Sequence, residues 1–141
     1  METNEQALII LKKADELLTK ETWIQGLMYI VNNESTSSIV RAYNSFNDKE
    51  PICMCLVGAV CLASKMIAPT FEEKYTIEET QAGCFTVLEA VIVKKCKLNT
   101  AISVPSFNDG YDTTFQDVKT VLELSIESAH AICQSKILSV D

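Results

Sequence analysis

The chain has 141 residues, 48% of them hydrophobic and 22% charged, so it is long enough for one compact domain and too apolar for a disordered tail. Twelve basic residues against nineteen acidic ones give a formal net charge of -7, which opposes binding to nucleic acid and to anionic membranes. With only four glycines and three prolines, few residues interrupt helices. These counts predict a single, mainly α-helical domain over residues 1–141.

The N-terminal residues predict a cytoplasmic protein. Residues 1–5 carry no basic region, and charged side chains interrupt the apolar positions that follow, so we expect no secretory signal. The longest stretch of low charge, Pro51 to Ser64, is shorter than the roughly 20 residues that a membrane-spanning helix requires. In the cytoplasm the six cysteines are expected to be reduced and to pack as small apolar side chains.

The spacing of apolar residues predicts four main helices. They cover Asn4 to Lys20, Ile52 to Ile67, residues 76 to about 98, and Phe115 to Cys133. Pro51 suits the first turn of the second helix, which is almost entirely apolar and is therefore expected at the centre of the fold. Thr76 to Glu79 and Thr113 to Gln116 match capping boxes for the last two helices.

The connections between these helices have weaker patterns. Thr22 to Val31 suits a short strand or a helical turn, and Asn32 to Ser38 is a loop by composition, with Ser38 able to cap a brief turn. A minor two-strand element from the Trp23 and Ile102 regions is compatible with this pattern.

The tetrapeptide Ser-Phe-Asn-Asp occurs twice, at residues 45–48 and 106–109, each time a few residues before a predicted helix. Turns and helix caps favour Asn and Asp. We interpret the repetition as convergent helix-entry chemistry.

Three short motifs follow one another along the chain. They are Trp23 to Gly26, Cys55 to Ala59, and Val104 to Asp109 followed by Thr114 to Val118. Their order resembles a family of small bacterial and phage proteins known as a domain of unknown function, with the pattern Trp-x-Gln-Gly, Cys-x-x-Gly-Ala and Trp-Asn-Asp. Phe107 stands here in place of the second Trp. The resemblance implies no activity, but it implies a shared site at Trp23, Gln25, Gly26, Cys55, Gly58, Asn108 and Asp109.

A cysteine nucleophile is one hypothesis for the chemistry. Cys53 and Cys55, either of which could be the nucleophile, lie near the start of a predicted helix, where a thiol pKa can be lowered, and His130 is the one histidine available as a base. Asn108 or Asp109 would then orient the histidine. Apolar neighbours of Cys55 raise a thiol pKa instead, so we favour a packing role.

Metal and nucleotide sites have less support. Cys53-x-Cys55 with His130-x-x-Cys133 would supply four zinc ligands, but thiols two residues apart on a helix diverge, and the spacing matches no zinc finger. No glycine-rich phosphate loop occurs, which argues against a nucleotide enzyme. We therefore expect neither a metal nor a cofactor.

The best candidate for a binding site combines Trp23, Gln25 and Gly26 with the Asn108-Asp109 turn. An aromatic face beside amide and carboxylate groups suits a small polar ligand or a peptide. In the structural alternative, which we favour, Trp23 anchors the core, and Asn108 and Asp109 tie down a loop.

We interpret the chain as a non-enzymatic binding or interaction protein. Its acidic surface suits a basic protein partner, and its apolar content leaves enough surface for a homodimer. The family resemblance implies one specific case, a phage-encoded inhibitor of a host protein. The alternatives are a protein that sequesters a small, nucleotide-like molecule near Trp23 and Asn108, and a small cysteine-dependent enzyme that uses Cys55 and His130.

Overall fold

The computed structural model describes residues 3–67, 77–97 and 102–138. Within these ranges the chain is mainly α-helical and contains a small antiparallel sheet, which confirms the predicted fold class. The helices are α1 (Thr3–Leu17), α2 (Ile39–Asn47), α3 (Leu56–Ile67), α4 (Ile77–Cys96), α5 (Val104–Asn108) and α6 (Phe115–Leu138). The strands are β1 (Tyr29–Val31), β2 (Glu34–Thr36) and β3 (Ile52–Met54).

The core lies among the four longest of these helices. α1 packs against α3, α4 and α6, and α4 packs against α6. Leu11, Leu62, Leu88 and Leu122 are fully buried there, one from each of these helices. Burial of each leucine side chain stabilises the fold by about 1.5–3 kcal/mol, so apolar packing dominates this part of the molecule. As its apolar sequence predicted, α3 is central, and it contacts α1, α2, α4, α5 and β3.

The sequence predicted only part of the sheet, because of its three strands only β1 lies in a segment for which a strand was considered. β1 lies in the middle and pairs antiparallel with β2 and β3. Asn32 and Asn33 connect β1 to β2 with φ of 55° and 68°, the left-handed turn that fits a two-residue hairpin and that asparagine tolerates. The prediction of a loop over Asn32 to Ser38 is therefore wrong, because this asparagine turn closes a hairpin within a polar stretch.

Two predicted elements differ from the structure. The central helix begins at Leu56 rather than at Ile52, because Ile52–Met54 pair with β1. The two-strand element from the Trp23 and Ile102 regions is not formed. Trp23 makes an isolated parallel bridge to Met54, and Ile102 lies outside the strands.

Side-chain caps begin two of the helices. The Ser38 hydroxyl accepts a hydrogen bond from the Arg41 backbone N–H at α2, as predicted. At α6, Thr114 and Asp117 form a reciprocal capping box, one residue later than predicted, with bonds of 2.9 and 3.1 Å. The backbone hydrogen bond from Thr114 holds the pKa of Asp117 below its ordinary value. Thr76, the other predicted cap, lies outside the described residues.

Both Ser-Phe-Asn-Asp segments end a helix. Residues 45–48 close α2 and residues 106–109 close α5, with Asp48 and Asp109 as the C-cap residues. Each aspartate donates its backbone N–H to carbonyl groups of its own helix. The interpretation of these segments as helix-entry chemistry is therefore wrong.

Candidate functional site

Asn108 is the centre of the predicted site. It is completely buried at the end of α5. Its Oδ1 accepts hydrogen bonds from Trp23 Nε1 at 2.7 Å and from the Leu56 backbone N–H at 3.0 Å. Its Nδ2 donates to the Ile24 carbonyl at 3.1 Å and to Asp109 Oδ1 at 2.9 Å. Both lone pairs and both protons of the amide are thus in use.

Gln25 and Gly26 extend the same network from the other side. Gln25 Nε2 donates to the carbonyl oxygens of Asn108 and Gly110, at 2.8 and 2.9 Å. The Gly26 backbone N–H donates to Asp109 Oδ1 at 2.8 Å. Gly26 has a φ of +81°, a conformation that glycine adopts without a steric penalty, so the turn at this position favours glycine.

The five residues predicted as a binding site therefore meet in one hydrogen-bonded cluster. They are Trp23, Gln25, Gly26, Asn108 and Asp109. The cluster joins residues 23–28 to residues 105–113, which comprise most of α5 and the loop after it, and we call these two segments the two-loop frame. The hydrogen bonds hold the two loops together, as the structural alternative supposes. A binding role for the same residues stays a prediction.

Trp23 also anchors the frame to the rest of the fold. Its ring is half-buried and lies 6.2 Å from the Phe115 ring, centroid to centroid, tilted by 47°. On either side of Trp23, the Ile24 N–H donates to the Met54 carbonyl at 3.0 Å, and the Met54 N–H donates to the Thr22 carbonyl at 2.7 Å. The first loop is thus fixed to both β3 and α6.

The Cys-x-x-Gly-Ala motif forms the start of α3 beside the frame. Cys55 is buried, and its Sγ accepts a hydrogen bond from the Gly58 N–H at 3.3 Å. Burial raises the pKa of the Cys55 thiol above its ordinary value, and the negative charge of Asp109 adds to the rise. Gly58 permits close packing, because a Cβ there would lie 2.7 Å from the Met28 carbonyl oxygen.

The structure does not join the two residues of the enzyme hypothesis. His130 is exposed on α6, and no hydrogen bond among the described residues connects it to Cys55. The raised pKa keeps the Cys55 thiol protonated at neutral pH, which disfavours a nucleophile.

The described residues also offer no arrangement for a metal or a membrane. In ranges 3–67, 77–97 and 102–138, no three His, Cys, Asp or Glu side chains cluster closely enough to hold a metal ion. The four cysteine and histidine positions of the zinc hypothesis therefore do not form such a group. No helix in the same ranges has both the length and the apolar character needed to cross a bilayer.

A cavity of about 240 Å³ opens beside the two-loop frame. It is lined by Gly26, Leu27, Met28, Cys55, Val57, Pro105 and Asp109. Sequence reasoning missed the apolar walls of this cavity, because a leucine, a valine or a proline in a loop carries no motif. Sequence reasoning also missed two exposed residues of the frame: Leu27 is 44% exposed, and Tyr111 projects fully into solvent.

Other cavities lie away from the predicted site residues. One of about 400 Å³ is lined by α1, α2 and β3 residues, and its Lys13 and Glu16 pair with each other at 3.4 Å. A groove of about 350 Å³ between α4 and α6 is lined by Ala90, Val91, Lys94, Lys95, Leu124 and Ser128. Neither contains a residue of the three sequence motifs.

Comparison with known proteins identifies the family. A model for a family of unknown function (DUF6197) matches residues 2–128, which include the entire two-loop frame. The chain belongs to this family. The predicted membership of a family of unknown function is thereby confirmed, and DUF6197 brings no assigned activity to the cluster. Neither the curated proteins nor the solved structures contain a significant match.

Proposed function

We propose that this DUF6197 protein is a non-enzymatic interaction module that binds a protein partner through the two-loop frame. The observation that carries the proposal is a pair of exposed side chains on a rigid support. Leu27 and Tyr111 project into solvent from the two loops, and the hydrogen bonds of Asn108, Gln25 and Gly26 hold the loops in place.

The position of each hydrogen bond explains why the support is rigid. Gln25 binds the carbonyl of Gly110, directly before Tyr111, and the bonded N–H of Gly26 lies directly before Leu27. Loops that are already ordered lose less conformational entropy when they bind. Tyrosine is also enriched among the residues that dominate binding energy at protein interfaces. An exposed tyrosine on an ordered loop therefore supports a contact role.

The charge of the chain supports a basic partner. A net charge of -7 attracts positively charged surfaces and speeds their association. The resemblance to phage proteins suggests a more specific case, an inhibitor encoded by a phage that acts on a host protein in the cytoplasm. A second copy of the chain is the competing occupant of the same surface.

The cavity beside the frame supports a protein partner over a sequestered nucleotide. Its volume of about 240 Å³ is below the ~300–1,000 Å³ of typical small-molecule sites. It suits one side chain of a partner. The protonated Cys55 thiol in its wall likewise supports a binding role over covalent catalysis.

The proposal can be tested by photo-cross-linking in the native cell. The photoreactive residue p-benzoylphenylalanine replaces Tyr111 in one variant and Val40 in a control variant. Val40 suits the control because its side chain is 53% exposed on α2, outside the frame. We expect a discrete adduct from position 111 and none from position 40, with the adduct mass giving the mass of the partner.

Three outcomes would contradict the proposal. They are no adduct at position 111, equal adducts at both positions, and an adduct of twice the subunit mass, which would identify a second copy of the chain. Circular dichroism melting of both variants shows that each remains folded.

A further inference from the structure

We propose that the cavity beside the two-loop frame binds a lysine side chain of the partner, with Asp109 as its anionic contact. This inference rests on the proposed function and specifies the chemistry of the partner. It follows from the shape of the cavity, from the hydrogen bonding of Asp109 and from the charges of the lining residues.

The walls of the cavity suit an aliphatic stem. Leu27, Met28, Val57 and Pro105 supply apolar surface. Gly26 adds no side chain, and nothing lies within 4 Å of where its Cβ would be, so this wall stays open. Lysine buries its methylene groups on apolar surface while its ammonium group stays at a polar edge. A polar or branched side chain would match these walls less well.

Asp109 lines the cavity, and its two carboxylate oxygens differ in their hydrogen bonding. Its Oδ1 accepts from the Gly26 N–H and from Asn108 Nδ2, at 2.8 and 2.9 Å, which uses both lone pairs. Its Oδ2 has no hydrogen bond among the described residues. A guanidinium group binds a carboxylate best through two oxygens at once, whereas an ammonium group is a compact charge that needs one. The arrangement therefore favours lysine over arginine.

Asp109 is the one charged residue among the seven that line the cavity. None of the seven lining residues is basic, so an entering ammonium group meets no repulsion from the walls. Burial raises the pKa of the Cys55 thiol, which is therefore neutral. The net charge of -7 adds a long-range attraction for a cation. The apolar walls of the cavity and the charge of Asp109 thus both favour a lysine side chain.

Nuclear magnetic resonance titration with small probes tests the inference on the whole chain. The probes are the N-acetyl methylamides of lysine, arginine, norleucine and Nε-acetyl-lysine. Trp23 is the only tryptophan, so its indole N–H gives a unique signal, and the Gly26 amide reports directly on Asp109. We expect the lysine probe to shift both signals and to bind about fivefold more tightly than norleucine or Nε-acetyl-lysine at low salt.

A matched pair of variants isolates the carboxylate. Asp109→Asn removes the charge but keeps an oxygen that accepts from Gly26 and Asn108. Asp48→Asn makes the same change at the other Ser-Phe-Asn-Asp segment. We expect Asp109→Asn to reduce lysine binding to the level of norleucine, and Asp48→Asn to leave it unchanged. The amide spectrum of each variant shows whether it is folded, and Leu27→Ser should weaken lysine and norleucine alike.

Several results would overturn the inference. Equal binding of lysine and norleucine would show that the ammonium charge contributes nothing to binding. Equal losses of lysine binding in Asp109→Asn and Asp48→Asn would indicate a general electrostatic attraction to the acidic chain. Tighter binding of arginine would overturn the choice of lysine. If the wild-type chain gives the cross-link at position 111 but binds no lysine probe, the cavity inference fails and the interaction module stands. If lysine binds without any cross-link, the interaction module fails instead.

Discussion

The same four residues, Ser-Phe-Asn-Asp, close two helices of this protein, yet only the second copy belongs to the candidate site. Both copies end in nearly the same backbone conformation: Asp48 has φ and ψ of -81° and 2°, and Asp109 has -92° and 4°. The local sequence therefore produces the same helix end twice. What differs is the segment that packs against each end.

The two asparagines show how large this difference is. Asn47 is exposed and has no side-chain hydrogen bond among the described residues. Asn108 is completely buried and makes four, two of them to Trp23 and Ile24, residues more than 80 positions away in the chain. The different hydrogen bonding of the two asparagines thus comes from their tertiary neighbours. The tetrapeptide alone would have predicted two equivalent sites.

The residues that follow the two copies differ as well. After the first copy, Lys49 has a φ of +60°, and the Glu50 N–H donates to the Ser45 carbonyl at 2.9 Å, which completes a Schellman motif. After the second copy, Gly110 has no room for a side chain, because a Cβ there would lie 2.5 Å from Thr113 Oγ1. The lysine thus takes the left-handed conformation that usually favours glycine.

Replacing the two asparagines by alanine should produce the largest contrast. Asn108→Ala leaves the Leu56 N–H, the Trp23 indole N–H and the Ile24 carbonyl without their hydrogen-bond partner. A buried polar group that loses its partner costs about 1–3 kcal/mol of stability. We expect a loss of about 3 kcal/mol or more in the free energy of unfolding, measured in urea. Asn47→Ala should remain within about 0.5 kcal/mol of the wild type. Equal losses in the two variants would contradict the comparison.

A second, smaller effect should follow from changing the helix that Asn108 binds. Gly58→Ala would place a Cβ 2.7 Å from the Met28 carbonyl oxygen and 3.0 Å from the Tyr29 ring, so α3 must shift from β1. We expect a destabilisation of about 1–3 kcal/mol and a change in Trp23 fluorescence. Helix propensity alone predicts the opposite sign, because alanine is a better helix former than glycine. A more stable variant would therefore refute the packing argument.

The smallest effect is expected at the end of the first copy. Lys49→Gly removes the steric cost of a left-handed conformation, about 1–2 kcal/mol, and adds the entropic cost of glycine, about 0.5–1 kcal/mol. We expect a gain in stability below about 1 kcal/mol, visible as a small rise in the melting temperature. A clear loss would mean that the Lys49 side chain contributes contacts that stabilise this end of the helix.

Much of the helical framework could be predicted from local patterns. Amphipathic spacing located α1 and α6, and Ser38 was identified as a cap, because these features depend on residues within about four positions of one another. The start of α3 could not be placed correctly. Ile52–Met54 read as part of an apolar helix, and only pairing with β1 makes them a strand.

The residues of the candidate site were named from the sequence, and the shape of the cavity beside them was not. The sequence by itself determined a mainly helical fold and the Ser38 cap, and it drew attention to the motif residues Trp23, Gln25, Gly26, Asn108 and Asp109, since all of these are visible as local patterns. Only the tertiary structure decided that these residues share one hydrogen-bonded network, and that Leu27, Val57 and Pro105 form a cavity beside it. Such contacts join residues about 30 to 85 positions apart, and no local spacing encodes them.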